Sequence, residues 1–492
     1  MNILLVYPEI PSTFFSFKSA LKFVSKKAAS PPLGLITVAA MLPEKWKKKL
    51  IDMNVSKLKN SDLLWADYVF LSGMNIQKES FSKVVTRCNQ LGVKIVAGGP
   101  MVTTEHENFS GIDHFVLNEA ELTLPSFLTD LRNGHAQHLY TSDKFPDISQ
   151  TPTPLWELLN MKKYAAMNLQ YSRGCPFNCE FCSITMLNGH IPRTKSREQL
   201  VKELDTLYDR GWRSEIFIVD DNFIGNKHKL RTDILPAMAE WLKKRHHPFY
   251  FGTETSINLA DDPELMHLMV NAGFESVFIG IETPDPKSLA ECGKTQNMKR
   301  DMVDSVKKIQ KRGLIVTGGF IVGFDNDSSS IFEKQIDFIK NSGIVTAMVG
   351  LLNAPIGTRL FNRLNSEKRL LSTLTGDNMD GSMNFTPKMN YQKLKEGYKK
   401  ILETIYSRKT FYQRVQVFLS EHRNLNVQIK KIHLSDIKAL IRSIFVLGII
   451  DRGRIYYWKL FMFSLFNCPR RFPIAIKMMI CGFHFRRVVA TI

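Results

Sequence analysis

Three cysteines, Cys175, Cys179 and Cys182, stand together in the run Arg-Gly-Cys-Pro-Phe-Asn-Cys-Glu-Phe-Cys. Thiols this close in sequence are candidate metal ligands. A cube of four irons and four sulfides asks for one thiolate per iron, so a loop that offers three leaves one iron open to an outside ligand. A structural zinc site would need a fourth Cys or His to close its tetrahedron. His190 is the one candidate within a dozen residues, and no second Cys-x-x-Cys follows. Three crowded cysteines cannot all pair as disulfides, and no secretory signal is read at the start of the chain. An open iron would make this loop a place for chemistry.

Further polar and glycine-rich stretches follow at intervals of one strand and one helix. They are Val219-Asp220-Asp221-Asn222-Phe223, Gly252-Thr253-Glu254-Thr255-Ser256, Phe278-Ile279-Gly280-Ile281-Glu282-Thr283 and Gly318-Gly319-Phe320-Ile321-Val322-Gly323. Paired carboxylates such as Asp220 and Asp221 are open to three readings: ligand contact, metal site or helix cap. Glu254 is either a ligand carboxylate or a buried structural one. Glycines in a strand let another group approach the backbone. Ahead of the cysteines, Ser72-Gly73-Met74-Asn75 and Ala97-Gly98-Gly99-Pro100 give the same access, and Asn118-Glu119-Ala120-Glu121 adds carboxylates. Arg193, Lys195 and Arg197, expected on the first helix after the cysteines, are a solvated face or partners for a ligand's polar groups.

The elements that carry these residues fall into three groups. Apolar runs of strand length at 3–7, 50–54, 68–72, 94–97 and 114–117 alternate with helical patterns such as 35–42 and 81–91. That order predicts a doubly wound parallel α/β sheet over residues 1–130, with its ligand beyond the carboxyl ends of the strands. Residues 131–163, rich in Pro and polar side chains, read as a linker. Over 164–365 the alternation resumes, with strands expected at 166–172, 215–220, 250–254, 276–281, 315–321 and 347–352. Six such units suit a partial β/α barrel whose chemistry lies at the carboxyl strand ends, where the polar stretches fall. Residues 366–492 are helical in pattern, match no general motif, and are expected to cap the barrel mouth and to face substrate or membrane.

With 492 residues, 44% hydrophobic and 23% charged, the composition is that of an ordinary globular protein of several domains. Cys88, Cys292, Cys468 and Cys481 are scattered, which suits small core residues in a reducing cytoplasm. The net charge is +19, and residues 451–492 carry eight Lys/Arg against one acid, interleaved with Tyr456, Tyr457, Trp458, Phe461, Phe463, Phe466 and Phe472. Such a mixture suits an anionic membrane surface, nucleic acid, or a helical domain with a snorkelling basic face. Apolar runs stop short of the ~18 to 20 residues that span a bilayer.

The cysteine spacing, with Phe181 just before the last thiol, resembles the signature of radical S-adenosylmethionine (SAM) enzymes. The resemblance implies that Cys175, Cys179 and Cys182 hold a 4Fe-4S cluster, that SAM chelates the fourth iron, and that an electron from the cluster cleaves it to a 5'-deoxyadenosyl radical. It implies SAM contacts at Phe181, Asp220, Asp221, Asn222, Glu254, Gly280, Glu282 and Gly319. The N-terminal pattern resembles the cobalamin-binding domain that precedes many radical SAM domains, which implies cobalamin contacts at Ser72, Gly73, Met74, Gly98, Gly99, Pro100 and Glu119. The family's usual ending is closer to Gly-Glu-Gly-Glu, from which Asn118 and Ala120 depart. The Asp-x-His-x-x-Gly motif of mutase-type cobalamin proteins does not occur, so no protein histidine is expected on cobalt.

Together these imply a cobalamin-dependent radical SAM enzyme, similar to a branch that includes hopanoid methylases. The expected reaction is C-methylation of an unactivated carbon in a lipid-like or other small molecule, with an external electron donor such as flavodoxin or ferredoxin. A cyclase or rearrangement enzyme without methyl transfer is the alternative, and a non-catalytic cobalamin or iron-sulfur sensor ranks below it. A methylthiotransferase would carry extra N-terminal cysteines, where only Cys88 stands. A cytoplasmic enzyme is expected, in possible peripheral contact with the inner membrane face, with nucleic acid disfavoured as a partner.

Overall fold

The computed structural model describes residues 1–371, 375–376, 380–422 and 434–492. Six parallel strands, β1 (Asn2–Tyr7), β2 (Lys47–Asp52), β3 (Tyr68–Ser72), β4 (Lys94–Gly98), β5 (His114–Val116) and β6 (Leu139–Tyr140), form the first sheet in the order β2-β1-β3-β4-β5-β6. Strand alternation sends Leu4, Val6, Val69 and Ile95 to one face, against Phe81 and Val84. Ile3, Leu5, Phe70 and Val96 go to the other, against Phe127 and Leu124. A parallel sheet needs this double cover because its crossover helices lie on both faces. The strand order reverses between β1 and β3, so the ligand crevice lies at the carboxyl ends of those two strands. Ser72, Gly73 and Met74 stand there.

Two details differ from expectation. Strand β2 starts earlier than predicted, because Lys47, Lys48 and Lys49 on the sheet edge hide its alternation. Strand β6 is two residues inside the stretch expected to be a linker, and it pairs only with β5.

Strands β7 (Met167–Leu169), β8 (Ser172–Arg173), β9 (Arg193–Thr194), β10 (Glu215–Ile218), β11 (Tyr250–Thr255), β12 (Phe274–Glu282), β13 (Ile315–Val322) and β14 (Ala347–Leu351) follow. Six of them make a parallel sheet ordered β14-β13-β12-β11-β10-β7, with helices between successive strands, and β8 pairs antiparallel with β9. This is the partial β/α barrel that the strand pattern predicts.

The C-terminal helices Tyr391–Ile405, Arg408–Glu421, Leu434–Ser443, Arg454–Asn467 and Phe472–Val489 correct one expectation. The first starts near the carboxyl end of β13, where Leu394 meets Gly323, and from its far end onward the helices lie at the amino ends of the barrel strands, opposite the mouth. The Tyr406 hydroxyl donates to the Ala347 carbonyl at the start of β14 (2.6 Å). Arg414, fully buried, donates to the carbonyls of Ile344 and Val345 at 2.7 and 3.1 Å. Lys477 reaches Glu215 at the start of β10 at 3.1 Å. They also grip the long loop after β1: the His484 ring donates to the carbonyls of Thr13 and Phe14 at 3.1 and 3.2 Å, and Arg442 to that of Lys22 at 2.9 Å. The mouth side is met instead by the segment around 359–390. There Arg363 and Arg369 bind Asp325 after β13, and Gly376 sits against the backbone of Asn75 and Ile76 in the N-terminal crevice.

Candidate active site

The cysteine loop is a closed hairpin with its base at β8 and β9. Gly174 turns it with φ +98°, and a Cβ there would strike the carbonyls of Ile191, Asn188 and Gly189 at 2.8 to 3.0 Å. Glycine is therefore required on both steric and conformational grounds. Cys175 donates its backbone N–H to Gly189, and Cys182 donates to Cys179. Glu180, between the thiols, pins the tip: its N–H reaches the Cys292 carbonyl at 2.8 Å, its carbonyl accepts from Leu360 at 2.9 Å, and its carboxylate takes Arg363 at 2.7 Å. All three thiols are free and half-buried. Burial pushes the Cys182 thiol up to about 12, and the facing Cys179 and Cys175 sulfurs add to the shift. The thiol therefore holds its proton until a metal replaces it. Among the described residues no three His, Cys, Asp or Glu side chains converge as they would on a single metal ion. A four-iron cube instead places each thiolate on a separate iron, so the donor set suits the cluster and not zinc.

At the barrel mouth the predicted residues gather, in roles that differ. Asp220 is buried and fully engaged: its carboxylate accepts from the backbone of Tyr171 and Ser172 at 2.7 and 2.8 Å and from the Ser172 hydroxyl at 2.6 Å. Both oxygens support the base of the loop. Asp221 accepts from the Gly174 N–H (3.1 Å) and Asn188 (3.0 Å), again within the loop. Asn222 accepts from the Ser256 N–H at 3.2 Å, tying the ends of β10 and β11. Glu254 has no hydrogen-bonding partner among the described residues. Burial, with the Asp221 and Asp220 carboxylates beside it, pushes its carboxyl up to about 7.

The glycines of β12 and β13 are required by the protein's own atoms. A Cβ at Gly280 would lie 2.3 Å from the Glu282 carboxylate and 2.6 Å from the Lys294 ammonium. Glu282, at φ +62°, and Lys294 form a tight buried pair. At Gly319 a Cβ would strike the Phe278 ring at 2.9 Å. Phe181 packs 6.3 Å from Phe324.

One orphaned polar atom, Gln296 Oε1, lies beside the thiols. Thr255 Oγ1 and Gln296 Oε1 are buried without a partner among the described residues, and Gln296 Nε2 lies 3.8 Å from Cys179 Sγ. The Glu254 carboxylate and Gln296 Oε1 are unspent acceptors, the latter beside Cys179, which fits a ligand rich in ammonium and hydroxyl donors such as SAM, while Thr255, next to Glu254 in β11, turns its hydroxyl to the opposite face of the sheet. Burial of unsatisfied groups is costly unless something binds them.

The N-terminal crevice presents a floor of small residues. Ser72 ends β3 with Gly73 after it, and Gly98 ends β4 with Gly99 after it. Gly99 takes φ +93° with the Ser72 hydroxyl 2.3 Å from its missing Cβ, and Gly98 lies 2.8 Å from the Val116 carbonyl by the same measure. Pro100 opens the helix Pro100–Glu105, and Met74 is exposed above the floor. A low, flat strand edge fits a wide planar ligand such as a corrin. Asn118 adopts φ +60° and accepts from the Thr141 hydroxyl, so it meets at low cost the left-handed turn where the family pattern has glycine.

Glu119 does not face that floor, against expectation. Its carboxylate takes Arg173 at 2.5 Å and Arg193 at 2.6 Å, while Glu121 takes the other fork of Arg173 at 2.9 Å. Arg173 and Arg193 are the paired base residues of the cysteine hairpin. Four largely buried charges therefore clamp the N-terminal domain onto the cluster loop. Lys195 is buried in a pair with Glu203, and Arg197 caps its own helix near Glu198 and Asp233, so neither reaches a ligand site.

The family model for the B12 binding domain matches residues 24–128, that for the radical SAM superfamily residues 169–339, and a domain of unknown function, DUF4070, residues 358–492. An uncharacterized methyltransferase of Synechocystis sp. is 38% identical over 99% of this chain and 91% of its own. The chain belongs to the cobalamin-dependent radical SAM methyltransferase family. Its members include the hopanoid C-2 methylase of Rhodopseudomonas palustris, 34% identical over 78% of this chain and 73% of that one. The fold is also that of a cobalamin-dependent radical SAM enzyme solved with aqua-cobalamin bound (TM-score 0.62, 15% identity, 100% of this chain and 80% of that one). The radical SAM methyltransferase of Kitasatospora setae, solved with cobalamin and a 4Fe-4S cluster, has the same fold (TM-score 0.60, 13% identity, 76% of this chain and 79% of that one).

As a member of this family the protein is an enzyme, and its cofactors are a 4Fe-4S cluster, SAM and cobalamin. Several residues of this cobalamin-dependent radical SAM enzyme are not evident in the sequence as site residues. Lys294 follows Glu282 by twelve positions within an ordinary turn, and Gln296 sits beside it. Glu121 gave one signal, a second carboxylate two residues from Glu119. Phe15, from the loop after β1, places its exposed ring 6.4 Å from Phe278, and no motif marks it.

Proposed function

We propose that this enzyme transfers a methyl group from SAM, by way of cobalamin, to an unactivated carbon of a lipid-like small molecule. The observation that carries the reading is the clamp of Glu119 and Glu121 on Arg173 and Arg193, which joins the strand ends of the B12 binding domain to the loop of Cys175, Cys179 and Cys182. Both cofactor sites then open on one cleft. In this reading the three thiols hold three irons of the cluster. Glu254 and Gln296 accept from SAM, Phe181, Asn222 and Glu282 border it, and Asp220 and Asp221 hold the loop that presents the thiols. Ser72 to Met74 and Gly98 to Pro100 form the floor beneath the corrin. When bound, the cluster supplies the electron that cleaves SAM to a 5'-deoxyadenosyl radical, and cobalamin supplies the methyl group.

An alkyl C–H bond is far too weak an acid for any side-chain base, so the site needs no catalytic base and none is assigned. Its residues exclude water and hold three partners in order. The lipid-like substrate is supported by the hopanoid C-2 methylase relative, and reduction by a flavodoxin or ferredoxin fits a cytoplasmic setting. The test is anaerobic turnover with trideuteromethyl SAM and mass analysis of lipid extracts: a product carrying the intact labelled methyl is expected. A second reading, ring closure without methyl transfer, is favoured by similarity to the anaerobic magnesium-protoporphyrin IX monomethyl ester cyclase of Rubrivivax gelatinosus (22% identity over 62% of this chain). A product lacking the label would replace the first reading with this one.

A further inference from the structure

The C-terminal helices leave an apolar stripe uncovered. On the helix Leu434–Ser443 and the π turn Ile444–Ile450 that continues it, Ile437, Ile441, Phe445 and Ile449 recur every four residues, and Ile441, Phe445 and Ile449 are 60%, 57% and 55% exposed. An α-helix drifts by about 40° over each such step, and the wider π turn winds the drift back, so the stripe runs straight. The helix Arg454–Asn467 continues it with Ile455, Met462 and Phe466, the last 75% exposed. Between the two helices the inner face is closed: Ser443 bonds the Tyr457 hydroxyl at 2.9 Å, and the Trp458 indole donates to the Gly448 carbonyl at 2.9 Å. The large side chains outside are therefore surplus to the core of this domain. A folded monomer rarely shows so many in one place without a partner.

Charge identifies the partner. Lys438, Arg452, Arg454, Lys459 and Arg470 accompany the stripe and are exposed, while Arg442 is committed to the loop after β1. A shallow groove of about 760 Å³, lined by Tyr412, Arg454, Ile455, Trp458, Lys459 and Met462, puts two cations and two amphipathic rings beside the apolar residues. Among the described residues no helix is long and apolar enough to cross a membrane. We propose that the helical hairpin 434–467 is a monotopic docking surface for an anionic lipid bilayer, with the stripe entering the acyl boundary and the groove taking a headgroup phosphate. The assignment narrows the membrane contact from the whole basic, aromatic stretch 451–492 to this hairpin. Arg486 lies over the Phe411 ring and Arg487 over Phe483, on the last helix and not on this hairpin. Docking through this surface, on the amino-end side of the barrel, leaves the mouth free.

The test uses the full-length enzyme with vesicles of phosphatidylcholine alone or with one quarter phosphatidylglycerol. Wild type should sediment with the anionic vesicles, at least tenfold more weakly with neutral ones, and release as salt rises. The variant I441S/F445S/I449S should bind at least tenfold more weakly at every salt concentration, with unchanged far-ultraviolet dichroism and SAM cleavage. R452Q/R454Q/K459Q should lose binding at low salt and flatten the salt dependence. Undiminished vesicle binding by both variants would overturn the proposal. So would a wild-type dimer that I441S/F445S/I449S dissociates while vesicles go unbound, which would assign the stripe to a second copy. Preference of wild type for nucleic acid over anionic vesicles would overturn it as well.

Discussion

Replacing Glu119 by Gln tests the clamp with little change of shape. Arg173 keeps Glu121, at 2.9 and 3.1 Å, so its charge stays matched. Among the described residues Arg193 loses its one carboxylate and retains the carbonyls of Pro146 and Asn188, at 2.8 and 3.0 Å. Breaking a buried ion pair costs about 3–5 kcal/mol, and the low end applies because two carbonyls remain and the Arg193 side chain is 17% exposed. About 3 kcal/mol shifts a docked-to-undocked equilibrium by roughly 150-fold. Hydrogen exchange in 174–192 and proteolysis across 141–163 should both rise, because the domain that covers the hairpin base is released more often. Methyl transfer should fall further than SAM cleavage in the absence of substrate, because cleavage needs the barrel alone while transfer needs both domains. Unchanged exchange in the loop, or equal losses in the two activities, would refute the reasoning. Additive effects of E119Q and R193Q in a double-mutant cycle would do the same, since partners in one buried pair must couple.

Three other outcomes follow from the site. Cys179→Ala should abolish iron-sulfur absorbance and SAM cleavage together; a full cluster in that variant would move the ligand set elsewhere. Since burial and the neighbouring aspartates push Glu254 up to about 7, the carboxyl is protonated in acid and ionised in mild alkali. SAM affinity, measured by equilibrium dialysis, should therefore rise between pH 6 and 8. Apo-protein stability should fall as pH climbs from the unfolded carboxyl value, ~4.3, through about 7, because a raised folded pKa stabilises only below it. Glu254→Gln should flatten both trends, and slopes identical to wild type would remove Glu254 from the SAM site. Gly99→Ala, which meets both φ +93° and the Ser72 hydroxyl, should cost about 1–3 kcal/mol in denaturant unfolding and lower cobalamin retention. A Ser72→Gly background should relieve only the steric part, and complete rescue would show that the backbone angle is unstrained.

Legibility in the sequence tracked the range of the forces involved. Strands β3, β4, β5, β12 and β13 could be read directly because each alternates or runs apolar over its own length. The cysteine loop and the crossovers around it were equally local. Strand β6 has two residues and exists only through β5, so no pattern within it could announce it. Glu119 read as a ligand contact because Arg173 and Arg193 lie 54 and 74 residues away, beyond any local pattern. At Gly280 and Gly319 the need for space was legible, while the Glu282–Lys294 pair and the Phe278 ring that use it come from elsewhere in the chain. The C-terminal helices were recognisable as helices, but which end of the barrel they meet depends on Tyr406, Arg414 and Lys477 finding partners on distant strands. Expected helical residues 423–433 lie outside the described residues.

The bond from His484 to the Thr13 carbonyl joins residues 471 positions apart. At ribosomal speeds of about 5–20 residues per second, that partner arrives roughly 25–95 seconds after Thr13 is made. Until then the loop after β1, which carries Phe15 to its place opposite Phe278, has no anchor from the last helix. A nascent chain therefore completes its first sheet and its cysteine hairpin well before the contact that fixes the loop after β1 can form.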